Sequence, residues 1–201
     1  MQRFFFIAVV IAVFSLILVF QFGCTEESKE KPLTNAEMVA RGKYLVISGG
    51  CSDCHTEKIY TDKGPIPDTT KLLAGYYAGE KLPWADLSMI EPGKWVMTDK
   101  NFSAWVGPWG ISYAANLTPD KATGIGTLSE EMFIKTLREG KWMGVGRSIL
   151  PPMPWQGIGT LNDQDLKCMY AYLMSLKPIH NSVPQPTPAD KVAEMIAKKS
   201  Y

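Results

Sequence analysis

An all-α fold is what this sequence predicts, on three observations. Capped helix starts recur at three places, each is followed by apolar residues at helical spacing, and the long stretch between the first two has no sustained period. The first helix opens at Thr34-Asn35-Ala36-Glu37, a capping box in which hydroxyl and carboxylate each satisfy a backbone N–H left over at a helix start. Met38, Tyr44, Leu45 and Val46 give it an apolar side, and Ser48-Gly49-Gly50 ends it. The second opens at Leu128-Ser129-Glu130-Glu131, carries Met132, Phe133, Ile134 and Leu137, and stops at Gly140. The third is capped by Leu161-Asn162-Asp163-Gln164-Asp165, carries Leu166, Met169, Tyr170, Leu173 and Leu176, and is closed by Pro178.

Length and composition suit one globular domain plus a targeting segment: 201 residues, 46% hydrophobic and 20% charged. The divisions are 1–24 as signal or membrane anchor, 25–33 as a polar linker, 34–183 as the domain and 184–201 as a tail. Within the domain, 57–127 reads as an irregular insertion. Trp84, Trp95, Trp105, Trp109, Tyr76, Tyr77 and Tyr113 argue against disorder there, so a packed segment is expected, with a short helix near Trp84–Ile90 and brief strands near Trp95–Met97 and Ser112–Leu117. In the tail, Pro184, Pro186 and Pro188 stiffen the chain before a short amphipathic helix over Ala189–Lys199.

Phe4–Phe22 is an uncharged run of 19 residues, preceded by Arg3 and followed by Glu26 and Glu27. It reaches the length of a spanning helix, about 17 to 25 residues, and exceeds the usual signal-peptide core of about 7 to 15. Arg3 on the short leading side places the chain beyond Cys24 on the extracytoplasmic, periplasmic side. Cys24 after Gly23 resembles the lipidated cysteine of bacterial lipoproteins, although Gln21 and Phe22 depart from that pattern. A retained helix, a lipid on Cys24 and a cleaved secretory signal are the three readings, and the first two tether the domain to a membrane.

Cys51-Ser52-Asp53-Cys54-His55 has the Cys-x-x-Cys-His pattern of covalent haem attachment. Thiols three positions apart share one side of a helical turn, where both can add to the vinyl groups of one porphyrin, and the adjacent imidazole falls beneath the iron. A thioredoxin-like redox pair would need a βαβ setting; a zinc site would need further ligands, yet Cys24, Cys168 and His180 are scattered; a disulfide between Cys51 and Cys54 would leave His55 without a role. The expected cofactor is one haem c, with His55 as an axial ligand. Among ten methionines, Met153 in Leu150-Pro151-Pro152-Met153-Pro154-Trp155 is the best candidate for the other face, because the prolines set φ, hold the segment extended and remove competing donors. A core methionine in a tight proline loop is the plainer reading, and Met143 is the reserve candidate. Met132, Met169, Met174 and Met195 fit helical packing, Cys168 a buried site, and His180 a solvated loop.

Lys plus Arg total 21 against 20 Asp plus Glu, so no basic field exists to hold nucleic acid, and electrostatic steering of any protein partner is weak.

Arg41-Gly42-Lys43-Tyr44-Leu45, Asn116-Leu117-Thr118-Pro119-Asp120 with Thr123-Gly124-Ile125-Gly126, then Pro152-Met153-Pro154-Trp155 and Tyr170-Ala171-Tyr172-Leu173 together resemble the class I cytochromes c. Over about residues 34 to 184 they look most like the haem modules in cytochrome c subunits of membrane-bound alcohol and aldehyde dehydrogenases. The resemblance implies an all-α class I cytochrome c fold, His55 and Met153 as the axial pair, and Asn116–Gly126 packed near the haem edge, where Trp109, Tyr113 and Asn116 are candidate contacts. It also implies an electron carrier rather than a catalyst. Its donor would be a dehydrogenase or quinol-oxidising complex, its acceptor a terminal oxidase. Those subunits carry several haem modules, whereas this sequence holds one Cys-x-x-Cys-His motif. A ligand-binding or catalytic haem, or a non-catalytic haem subunit, is the alternative.

Overall fold

The computed structural model describes residues 31–89 and 91–199, and the described residues from Leu33 onward form one unit. The expected membrane segment Phe4–Phe22 and Cys24 lie outside the described residues. Among the described residues, no helix is long and apolar enough to cross a membrane. The helices are α1 (Asn35–Ser48), α2 (Cys51–His55), α3 (Glu130–Glu139), α4 (Trp155–Ile158), α5 (Asp163–Ser175) and α6 (Val192–Lys199).

Each long helix starts where its cap dictates. Thr34 and Glu37 form the reciprocal box on α1, Ser129 Oγ accepts the Met132 N–H at 3.2 Å, and Asn162 Oδ1 accepts the Asp165 N–H at 2.7 Å. Such caps stabilise a helix by about 1 kcal/mol each. α1 crosses α5 at Gly42, where a Cβ would stand 1.8 Å from the Cys168 carbonyl oxygen; only glycine lets the two backbones approach this closely. Arg41 reaches across the same crossing to Asp165 at 2.9 Å. A first core fills the space between these helices and α3, with Val46, Phe133, Leu137, Leu166, Met169 and Leu173 all buried.

The all-α expectation needs correction: the domain is helical with some sheet. Residues 57–127 are not irregular but hold a hairpin of β1 (Lys58–Thr61) and β2 (Gly64–Pro67), and an antiparallel sheet of β3 (Met97–Thr98), β4 (Ala104–Gly107) and β5 (Gly110–Tyr113) in the order β3-β4-β5. The expected strands overlap β3 at Met97 and β5 at Ser112 and Tyr113, and the expected short helix is a 3-10 helix at Leu87–Met89. There is a physical reason why these strands leave so little trace in the sequence. They are two to four residues long, and β5 is buried at all four positions, so no alternation of polar and apolar residues marks them.

This sheet has a core of its own, built from Tyr76, Ala104, Val106, Ile111 and Tyr113 and completed by Val192 from α6. The tail reaches it because Ile111 and Thr187 exchange backbone hydrogen bonds of 2.8 and 2.9 Å. Residues 73–76 run from one core to the other: Leu73 belongs to the first and Tyr76 to the second. Asn181 clamps this stretch, its Nδ2 donating to the carbonyls of Ala74 at 2.8 Å and Tyr76 at 2.9 Å. Trp84 and Trp95 stand 75% and 68% exposed, so neither is sequestered in a core.

Gly42→Ala should destabilise the domain by about 3 kcal/mol, the upper end of overpacking costs, because the added methyl meets backbone rather than a movable side chain. Urea unfolding followed by circular dichroism measures this, and an unchanged midpoint would contradict the close α1/α5 crossing.

Candidate cofactor-attachment site

The chain turns from α1 into the Cys-x-x-Cys-His motif through Gly50, whose φ of +68° lies in the left-handed region; this starts α2 at Cys51. Asp53 N–H donates to the Gly50 carbonyl at 2.9 Å and closes the first turn. Cys51 and Cys54 follow at i and i+3 on one side of that turn, both as free, partly buried thiols. Cys51 packs against the first core, and so does Met153. Burial pushes the Cys51 thiol up to about 11 and raises that of Cys54 as well.

His55 is 7% exposed. Its Nδ1 lies 2.7 Å from the Ala115 carbonyl oxygen. A carbonyl only accepts, so Nδ1 carries the proton, and Nε2 is the nitrogen with a lone pair to offer. Burial also holds the imidazole below its ordinary value, which favours the neutral form that ligates metal. The backbone around this bond is itself pinned. The Gly75 N–H donates to the His55 carbonyl at 2.7 Å, Tyr76 N–H to Ala114 at 2.9 Å, and Leu73 N–H to the Thr56 hydroxyl at 2.9 Å. Gly75 has φ of +78°, and a Cβ there would stand 2.4 Å from the Ala114 carbonyl and 2.6 Å from that of Ala115. No side chain fits between this segment and the carbonyl that holds His55.

Lys58 occupies the other end of α2. Its ammonium donates to the carbonyls of Ser52 at 3.0 Å, Asp53 at 2.9 Å and Thr56 at 2.5 Å. Its backbone N–H donates to Asn101 Oδ1 at 3.2 Å, which ties the hairpin to the buried turn before β4. Neither Lys58, Gly75 nor Ala115 stands out in sequence. Ala115 acts through its backbone and carries no side-chain signal; a glycine between apolar residues was the one available hint at position 75.

The remaining candidates fall into different places. Met153 follows a turn at the cis-bonded Pro151-Pro152 rather than lying within the extended segment expected, and Pro154 after it caps α4. Trp109 Nε1 donates to Ser112 Oγ at 3.3 Å, and Ser112 Oγ donates to the Pro151 carbonyl at 2.6 Å, so β5 is fastened to the Met153 turn. Tyr113 packs in the second core, its ring 4.9 Å from that of Tyr76. Asn116 is buried with both ends of its amide engaged: Nδ2 donates to Thr123 Oγ1 and the Ile179 carbonyl, and Oδ1 accepts from Thr118. Its role here is to place Ala115, its neighbour. Met143 lies at the surface with φ of +55°, His180 is exposed 3.6 Å from Asp120, and Cys168 is fully buried in α5.

These residues fit a covalently held haem. Two free thiols share one face of a helical turn, a neutral imidazole has its tautomer set by a carbonyl, and a thioether shares a core with one of the thiols. The competing readings lose their settings. The motif stands between α1 and an antiparallel hairpin rather than in a βαβ unit, and among the described residues no group of three or more His, Cys, Asp or Glu could hold a metal ion.

The chain is similar to the fructose dehydrogenase cytochrome subunit of Gluconobacter japonicus, 30% identical over 73% of this chain and 23% of the relative. It is similar to the gluconate 2-dehydrogenase cytochrome c subunit of Pantoea cypripedii, 33% identical over 70% of this chain and 23% of the relative. A shorter stretch, 36% of this chain and 15% of the relative, is 40% identical to the cytochrome c subunit of an alcohol dehydrogenase (quinone) from Gluconobacter oxydans (strain 621H). The chain thus spans less than a quarter of the length of each of these relatives. No family model matches it.

Raising a thiol from its ordinary value of 9.0 to about 11 leaves about a hundredfold less thiolate at pH 8. Since a more basic thiolate attacks about tenfold faster for the same change, alkylation of Cys51 in haem-free protein should run about tenfold slower than that of an unperturbed thiol. Iodoacetamide labelling read by peptide mass spectrometry measures this, and Cys51 reacting like a free peptide thiol would contradict the burial.

Proposed function

Because its homologues are cytochrome c subunits of dehydrogenases, matched at modest identity over most of the chain, we propose that this protein is a haem c electron-transfer subunit of such a complex. It carries a single haem on its one Cys-x-x-Cys-His motif, within a class I cytochrome c fold elaborated by the 57–127 sheet module. The observation that carries the reading is the His55–Ala115 hydrogen bond, which leaves Nε2 of a buried neutral imidazole beside two free thiols.

Bound haem c supplies one-electron cycling of its iron between ferric and ferrous states. The chain's own contribution is attachment, ligation and enclosure. Cys51 and Cys54 would hold the ring through thioethers, and His55 and Met153 would be the ligands to its iron. The Ala115 carbonyl keeps the imidazole in one tautomer and orientation, so that oxidation and reduction proceed with little rearrangement of the ligand. Ser112 and Trp109 steady the turn that presents Met153. Thioether ligation biases the potential upward, as suits a carrier.

The donor in this reading is a dehydrogenase or a quinol-oxidising complex, and the acceptor is a terminal oxidase. The protein works on the extracytoplasmic side, held at the membrane through Phe4–Phe22 or a lipid on Cys24. A balance of 21 basic against 20 acidic residues leaves long-range steering weak, so a lasting place in a complex suits it better than a diffusing encounter.

Purified protein should bind haem covalently, cycle reversibly by one electron and, when reduced, take up no carbon monoxide. Met153→Ala should lose the methionine-to-iron absorption band and gain carbon monoxide binding. Rapid carbon monoxide uptake by the unmutated protein would sink the carrier reading in favour of a ligand-binding haem.

A further inference from the structure

Lys58 is the first residue of β1, just beyond the motif, and nothing in the attachment chemistry calls for it. All three of its ammonium donors are nonetheless spent on α2, on the carbonyls of Ser52, Asp53 and Thr56 at 3.0, 2.9 and 2.5 Å. A five-residue helix has nearly every carbonyl left over at its C-terminal end, and a cation placed among them both satisfies and neutralises that negative pole. The His55 carbonyl is taken separately by the Gly75 N–H. Partial burial pulls the ammonium below its ordinary value, and the neighbouring Asp53 and Asp99 carboxylates oppose that shift. Its backbone is fixed as well, through Asn101, which is 2% exposed. Lys58 is therefore a positive charge immobilised against the same helix that carries both thiols and the axial histidine.

We propose that Lys58 is a positioning residue that raises the reduction potential of the haem held by α2, acting as a fixed cation at the carbonyl end of that helix. The inference rests on the proposed haem attachment and deepens it. Oxidation adds one positive charge to the iron, and a cation held nearby in a poorly screened setting disfavours that added charge, so the ferrous form gains. A surface lysine would be screened by water and salt. Lys58 is partly buried, and three carbonyls hold it in one position against the helix, so its charge is less screened than that of a free surface lysine.

The test is a potentiometric titration of the haem-loaded protein. Lys58→Met keeps the apolar stem and removes the charge; it should lower the reduction equilibrium constant about tenfold against a fixed donor, a fall of about 59 mV for a one-electron couple. Lys58→Arg keeps the charge and should stay close to the parent. Lys58→Gln also removes the charge while keeping a polar stem, should lower the potential in the same way, and keeps the question answerable if Lys58→Met fails to accumulate. A potential unmoved in both neutral variants, or lowered equally in Lys58→Arg, overturns the inference and leaves Lys58 a helix cap only. A parent protein without covalent haem would overturn the proposed function and this inference together, whereas a loaded protein whose potential ignores Lys58 overturns the inference alone.

Discussion

The 2.7 Å hydrogen bond from His55 Nδ1 to the Ala115 carbonyl is the contact on which the site depends. It joins residues 60 positions apart, sets which imidazole nitrogen is available, and makes the 57–127 module part of the site rather than an appendage. Everything around it limits how far the carbonyl can move. Gly75 packs against the Ala114 and Ala115 backbone and donates to His55, Asn116 is anchored on both ends of its amide, and Asn181, after α5, holds residues 74–78. A charge-neutral imidazole held this way needs no reorganisation to ligate a metal.

Two cores divide the labour. The helical core, closed by the Gly42 crossing of α1 and α5, gives Cys51 and Met153 a common apolar support. The sheet core supports β5, from which Ser112 reaches the Pro151 carbonyl beside Met153, and from whose far end the chain runs through Ala114 to Ala115. One axial candidate thus stands on the first core and is steadied by the second, while the other is attached to the first helical layer and oriented by a carbonyl that leaves the sheet. Residues 73–76 pass between the cores and couple the two supports.

The electrostatics of the site are set by burial. It raises the thiols and lowers the imidazole, so all three attachment groups are held neutral. The Lys58 ammonium is the charged exception, fixed on the carbonyl end of the motif helix, and the acidic side chains of Asp53 and Asp99 surround it at a remove. The thiols and the imidazole are then neutral, with one cation fixed beside them and the Asp53 carboxylate on the same helix.

The candidate attachment groups and the helix starts are legible in the sequence because they rest on side chains at short fixed spacing. Cys51, Cys54 and His55 declare themselves within five residues, and Thr34, Ser129 and Asn162 announce three helix starts through bonds that span three positions. Met153 was legible as a candidate because its prolines are local, although they form a turn where an extended segment was expected. The sheet module was not legible: its strands are two to four residues long, and β4 and β5 are buried along almost their whole length, so no alternation marks them. Nor were Ala115, Gly75 and Lys58, whose parts are played by backbone atoms or by contacts with backbone atoms. Residue type and near neighbours were enough to name Cys51, Cys54 and His55 as candidate attachment groups. Which nitrogen of His55 is free, which carbonyl keeps it so and where a fixed charge sits came only with the fold, because they depend on chain segments that meet after folding.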